Sequence, residues 1–219
     1  MTAKAEQVIA GSTNGARDPP FVLTAQHVQQ YRDEGYTVFE RIIPPPLLAR
    51  LRATCEEARS LARSQNGPQT QRLQPVDRPD LDQAAFIEYG ELAPLRDAVR
   101  RLLAAPPQFG DRKVFGVLLE PRDRPYATNW HRDWRDNIEA CDHDVWWGHL
   151  HDRACFNQIN CALYDDDCLW VVPGSHRRGD TTAEVERFPS RPVRACCWKP
   201  SHVAVAEISV GLCIAIARM

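Results

Sequence analysis

The hydrophobic pattern of the chain changes at about Lys113, and this change constrains the fold more than any other feature of the sequence. Before it, apolar residues recur with the period of amphipathic helices; after it, they occur in short β-prone runs separated by turn residues. Helices followed by strands are typical of an α+β domain, in which the early helices pack on a C-terminal β-scaffold. A length of 219 residues fits one domain with a substantial core.

The domain is predicted to begin near Phe21. Residues 1–20 are polar, small and interrupted by Gly and Pro, which predicts a flexible N-terminal tail. Residues 21–219 are then predicted to form a single domain, with helices over about 24–104 and the β-scaffold over about 113–219.

Local signals divide the helical part into elements. Thr24 is a candidate N-cap and Gly35 a candidate left-handed C-cap, which predicts a helix followed by the strand "YTVFERI". Three prolines then open a helix, whose apolar face is predicted to consist of Leu47, Leu48, Leu51, Cys55, Ala58 and Leu61. A loop is expected from Gln65 to about Asp82. A further helix is predicted in "LAPLRDAVRRLLAAP".

The β-prone runs come later in the chain, and their spacing favours a sandwich or a barrel. They read "KVFGVLLE", "FNQINCALY", "CLWVVPGSH", "HVAVAEISV" and "LCIAIARM".

Charge and cysteine usage limit the classes of partner and location. A formal net charge of −2 and a pI near 6.4 argue against a general nucleic-acid or anionic-membrane binder and favour a small-molecule partner. The sequence has no signal-peptide pattern and no membrane-length apolar run, so we expect a soluble, cytoplasmic protein. The eight scattered cysteines are predicted to be reduced packing residues. The oligomeric state stays open.

The stretch "NWHRDW" contains a candidate metal-binding pair, His131 and Asp133. In a strand, residues i and i+2 point to the same face, so the imidazole and the carboxylate would lie side by side. A facial triad of two histidines and one carboxylate holds iron(II) and leaves coordination positions open. A polar surface turn is the alternative reading of the same pair.

Three segments of the sequence together resemble a known family. They are "FVLTAQHVQQYRDEGYTVFERIIPPPLLARLR", "WHRD" and "QINCALYDDDCLWVVPGSHRR". With these segments the chain resembles the phytanoyl-CoA dioxygenase family of iron(II)- and 2-oxoglutarate-dependent oxygenases from about Phe21 to the C-terminus. The resemblance implies a double-stranded β-helix, or jelly roll, flanked by N-terminal helices. It also implies Fe(II) as cofactor, 2-oxoglutarate as cosubstrate and hydroxylation of a small organic substrate.

The resemblance assigns roles to particular residues. His131 and Asp133 correspond to the first two iron ligands. Gln158 and Asn160 lie on the strand that lines the pocket for cosubstrate or substrate, or face solvent as ordinary strand polarity. Trp170 is a candidate wall of the cosubstrate pocket, with a buried core position as the alternative. Ser175 and His176 are read as the turn that fixes the strand ends, with no role for His176 as a ligand.

A second group of histidines lies in "CDHDVWWGHLHDRACF". His149 and His151 would chelate a metal if this segment were a strand, as in a metal hydrolase or a cupin-like binder. We favour a loop over the mouth of the site, with Trp146 and Trp147 as apolar walls.

The chain departs from the family pattern near its C-terminus. Gly211 matches the turn glycine that precedes the third iron ligand, but the expected histidine and the 2-oxoglutarate-anchoring arginine are missing. His202 and Arg218 are weak substitutes. The chain is therefore expected to lack the last strand or strands and to leave its final strand at an exposed edge. The alternative to an active oxygenase is an impaired or inactive truncated relative that binds a small molecule or a partner.

Overall fold

The computed structural model describes residues 6–10, 21–103, 115–119, 158–164, 166–178, 181–187 and 213–215. Its helices are α1 (Ala25–Glu34), α2 (Pro45–Asn66), α3 (Gln83–Gly90), α4 (Ala93–Leu102) and α5 (Thr182–Arg187). Its strands are β1 (Glu6–Ala10), β2 (Arg72–Leu73), β3 (Gly116–Leu118), β4 (Asn160–Ala162), β5 (Asp166–Val171) and β6 (Cys213–Ala215).

Helix α1 begins and ends where the sequence predicts. The Thr24 side chain accepts a hydrogen bond from the backbone N–H of His27, and the His27 ring accepts one from the Thr24 N–H, so the cap is reciprocal. Gly35 has φ 85° and donates its N–H to the carbonyl of Tyr31. This left-handed conformation explains why glycine ends the helix.

The strand predicted for "YTVFERI" is wrong, because residues 36–42 form no ladder in the structure. The neighbours Tyr36 and Thr37 are both buried, whereas a half-buried strand would alternate. The segment then turns at Glu40 and Arg41, where Arg41 has φ 56°. Its apolar side chains are therefore covered by irregular packing on the core.

Helix α2 buries most of the predicted apolar face, while the predicted Leu48 and Leu61 are half-buried. Leu51, Cys55, Ala58 and Ala62 are fully buried, and they follow one another at helical spacing. Helix α3 lies between two predicted elements and was not separately predicted. It begins at the N-cap Asp82 and packs against α2. The predicted loop before it contains the short strand β2.

The strands form two small sheets. Strand β5 pairs with β1 in an antiparallel sheet, so five residues of the predicted tail have regular structure. The other sheet has the order β2-β3-β6-β4. In it β2 is antiparallel to β3, and β6 is parallel to both β3 and β4. Strand β6 has a hydrogen-bonded neighbour on each side, so the expectation that it forms an exposed edge is wrong. The jelly roll itself stays a prediction.

The hydrophobic core joins the two halves of the domain. Residues of α2, α3 and α4 form one buried cluster with strand residues that include Val117, Cys161 and Leu163. Within the described part of the chain, no helix is long and apolar enough to cross a membrane.

Candidate functional site

The predicted iron ligands His131 and Asp133 lie outside the described residues. The predicted loop with His149 and His151 lies outside them too, as do His202 and Arg218. Their assignments stay predictions. The described part of the predicted site consists of β4, β5 and the turns next to them.

Strand β4 presents two different faces. Ile159, Cys161 and Leu163 are buried in the core, while the alternate positions Gln158 and Asn160 are only partly buried. This alternation is that of a strand with one face on the core. Gln158, just before β4, and Asn160 therefore lie on the side that points away from the core, and their role in lining a pocket stays a prediction.

One polar atom on that face is unusual. The Nδ2 atom of Asn160 is shielded from solvent and has no hydrogen-bond partner among the described residues. A buried donor without an acceptor costs about 1–3 kcal/mol, and such groups are uncommon in native proteins. An acceptor atom on a bound molecule would remove this cost.

The opposite face of β4 is chemically inert. The Cys161 thiol interacts with the Tyr89 hydroxyl of α3, and Cys55 of α2 lies close enough to interact with it electrostatically. Burial raises the pKa of Cys161 to about 12, because the thiolate would lose its hydration. Burial raises the pKa of Cys55 as well. Both thiols are free, so the prediction of reduced packing cysteines is confirmed for this pair.

Trp170 lies near the end of β5, opposite Gln7 of β1 in the antiparallel register. Its placement in a strand is confirmed, while its role as a wall of the cosubstrate pocket stays a prediction. The backbone then passes through Pro173 and Gly174 into the turn Ser175–Arg177, where the sequence predicts a turn.

An arginine of α2 fixes the turn before β5. Arg52 donates from Nε to the carbonyl oxygen of Leu163 at 2.7 Å, and its guanidinium carbon lies 4.7 Å from the centre of the Tyr164 ring. Tyr164 in turn donates to the carboxylate of Glu56, one helical turn further along α2, at 3.4 Å. The charged hydrogen bond and the cation–π contact together hold this turn against the helix.

The C-terminal end of α1 fixes the turn after β5. Gly174 donates its N–H to the carbonyl of Glu34 at 2.9 Å, and Nε2 of His176 lies 3.2 Å from the carbonyl oxygen of Arg32. A Cβ atom at Gly35 would overlap the His176 ring. The Gly174 N–H therefore caps the Glu34 carbonyl at the end of α1, and glycine at position 35 is required by the contact with His176 as well as by its backbone conformation.

An ion pair completes this second contact. Arg177 donates to the carboxylate of Asp33 at 3.2 Å, and both side chains are about half exposed. A hydrogen bond from Gln29 lowers the pKa of Asp33, and the Arg177 guanidinium lowers it further. Arg52, Asp33 and Arg177 carry no motif that predicts these contacts from the sequence. Arg52 had one local signal, since it follows the buried Leu51 at the border of the apolar face of α2.

Among the described residues, no three His, Cys, Asp or Glu side chains are grouped so that they could hold a metal ion. Comparisons of the chain with protein-family models, with curated proteins and with solved structures found no match.

We expect Gly35→Ala to destabilise the protein and His176→Ala to suppress part of that loss. The alanine Cβ collides with the imidazole, so removing the ring leaves only the strain of the left-handed backbone, about 1–2 kcal/mol. Urea denaturation of both single variants and the double variant measures a coupling of about 0.5–3 kcal/mol. Gly67→Ala combined with His176→Ala is the control, because Gly67 has no neighbour within 4 Å and the two changes should therefore be additive. If the effects of Gly35→Ala and His176→Ala on the free energy of unfolding are additive, the contact between the two residues is contradicted.

We also expect the difference in stability between the wild type and Asp33→Asn to disappear in acid. The pKa of Asp33 in the folded protein is below its ordinary value of 3.8, so its stabilising contribution is present above that pH. The contribution is lost as the pH falls through the lower, folded value. Denaturation of both proteins from neutral pH to below about pH 3 measures this. A difference that persists unchanged to the lowest pH would show that ionised Asp33 does not stabilise the contact.

Proposed function

We propose that this chain is an iron(II)- and 2-oxoglutarate-dependent dioxygenase that hydroxylates a small organic substrate. His131 and Asp133 would hold the iron, and Gln158, Asn160 and Trp170 would line the pocket of the cosubstrate. The motifs "WHRD" and "LYDDDCLWVVPGSHRR" support the proposal, because they resemble the phytanoyl-CoA dioxygenase family. Iron(II) and 2-oxoglutarate, when bound, supply the oxidising chemistry of this class.

The structural observation that carries the proposal is the buried Nδ2 atom of Asn160. It is a hydrogen-bond donor on the β4 face that points away from the core, and no described residue satisfies it. A ligand with carboxylate or keto oxygens, as 2-oxoglutarate has, would accept this bond. This single N–H donor fits a ligand that presents an acceptor oxygen, and 2-oxoglutarate is one such ligand.

The core side of β4 would contribute rigidity. Ile159, Cys161 and Leu163 are buried, and Arg52 fixes the carbonyl of Leu163. A strand held on one face keeps the side chains of its other face in fixed positions. Such positioning is the contribution of the protein to cofactor chemistry, together with the exclusion of water.

The alternative function is a relative without catalytic activity that binds a small molecule through the same face of β4. The Asn160 donor supports this reading as well, since it needs an acceptor atom and not a reaction. Turnover separates the two functions.

The test of turnover is succinate formation from 2-oxoglutarate in air with added iron(II). We expect the wild type to form succinate and His131→Ala to fall to the background, because the imidazole is a metal ligand. His27→Ala, a histidine on α1 outside the predicted site, should keep the wild-type rate. Equal rates in the wild type and His131→Ala would contradict the proposed role of His131. Binding of manganese(II) and 2-oxoglutarate without turnover would favour the alternative function.

The test of the Asn160 site compares stability with and without 2-oxoglutarate and manganese(II). Without ligand, we expect Asn160→Leu to be as stable as the wild type or more stable by about 1–3 kcal/mol, because the unsatisfied donor is gone. With ligand at about 100 times its Kd, the wild type should gain about 2.7 kcal/mol, and Asn160→Leu should lose most of this gain. Asn66→Leu, at the end of α2, is the control and should keep the full gain. A full gain in Asn160→Leu would remove Asn160 from the site.

A further inference from the structure

Strand β5 is attached to the helical layer at both of its ends. The turn before it, at Leu163 and Tyr164, contacts Arg52 of α2. The turn after it, from Gly174 to Arg177, contacts the last residues of α1. The strand has six residues and spans about 20 Å, so neither contact touches the other.

The contact at the start of β5, which we call the α2 latch, is shielded from solvent. Leu163 is 1% exposed, and Arg52 is only partly exposed between its carbonyl and the Tyr164 ring. Its partners are a neutral carbonyl and an aromatic ring, so dissolved salt has little effect on it. Hydrogen bonds from charged groups to partly buried partners are also among the stronger ones.

The contact at the end of β5, which we call the α1 latch, has a different physical character. Its ion pair between Asp33 and Arg177 joins side chains that are 53% and 50% exposed. Salt screens such exposed pairs within a few ångströms at high ionic strength. The backbone bond from Gly174 to Glu34 and the packing of His176 against Gly35 remain, so screening weakens this latch without removing it.

We propose that β5 is a strap whose two ends respond differently to salt, with a salt-insensitive start and a releasable end that salt weakens. The α2 latch holds its start independently of ionic strength, whereas the α1 latch is weakened, and opens locally more often, when salt screens the Asp33–Arg177 pair. Because Trp170 lies one residue before the end of β5, the releasable end is the one next to it. The difference between the two ends follows from the two latches, since the ladder with β1 runs along the whole strand, and it does not depend on the proposed oxygenase activity.

Hydrogen exchange of the full chain, followed by mass spectrometry of its peptides, tests the strap. In the wild type, raising salt from about 0.05 M to about 1 M should accelerate exchange in peptides that cover residues 171–178, and not in those that cover residues 158–164. Arg177→Met should give the same acceleration at low salt, about two- to fivefold, and should remove the salt response.

Arg52→Met should accelerate exchange around residues 163–166 about tenfold or more and leave the salt response at the other end intact. Arg100→Met is the matched control, because it breaks the exposed pair with Asp97 on α4 and touches neither latch. If Arg52→Met does not fold, Arg52→Lys keeps the charge and the stem but not the Nε donor.

Each possible result of these experiments either supports the strap or overturns it. End-specific acceleration, with salt acting at residues 171–178 only, supports the strap. Acceleration that is equal over α1 to α4 and β5 overturns it, because the arginines would then contribute only to global stability. A salt response that is equal at both ends, or absent from both, overturns it too.

Discussion

The structure depends on the buried face of helix α2. Leu51, Cys55, Ala58 and Ala62 are fully buried along three turns, and small residues among them let neighbouring elements approach closely. Polar side chains of the same helix also bind neighbouring elements. Thr54 accepts the N–H of Asp82 at the start of α3, and Arg52 reaches the carbonyl of Leu163 before β5. One helix therefore positions both the next helix and the strand of the candidate site.

Local chemistry made much of the helical layer predictable. Thr24 and Gly35 are a cap and a terminator for reasons within one helical turn, and the face of α2 follows from its period. The segment 36–42 was not predictable in this way. Its β-branched and aromatic residues favour a strand, but whether a strand forms depends on a partner that the local sequence does not specify. Tertiary packing buried Tyr36 and Thr37 together, and no ladder formed.

In the candidate site, too, local features could be predicted from the sequence, whereas contacts between distant elements could not. The two faces of β4 could be predicted, because the alternation of Ile159 and Cys161 with Gln158 and Asn160 is written in the sequence. The unsatisfied amide of Asn160 and the inert character of Cys161 could not, since both depend on atoms brought from other elements. The same holds for Asp33 and Arg177, which are 144 residues apart. The motif "PGSHRR" predicted a turn, but not the helix end to which it binds.

The distance along the chain between the latched residues has a consequence for the order of folding. Residues 21–103 hold α1 to α4 and many of the core side chains, and during synthesis they leave the ribosome before β5 is made. The partners of Arg52 and of the C-terminal end of α1 arrive 111 and 144 residues later. Until then, the early helices expose apolar surface to solvent, and the last carbonyls of α1 are hydrogen-bonded to water. For the nascent chain, that interval is the one in which exposed apolar surface favours aggregation.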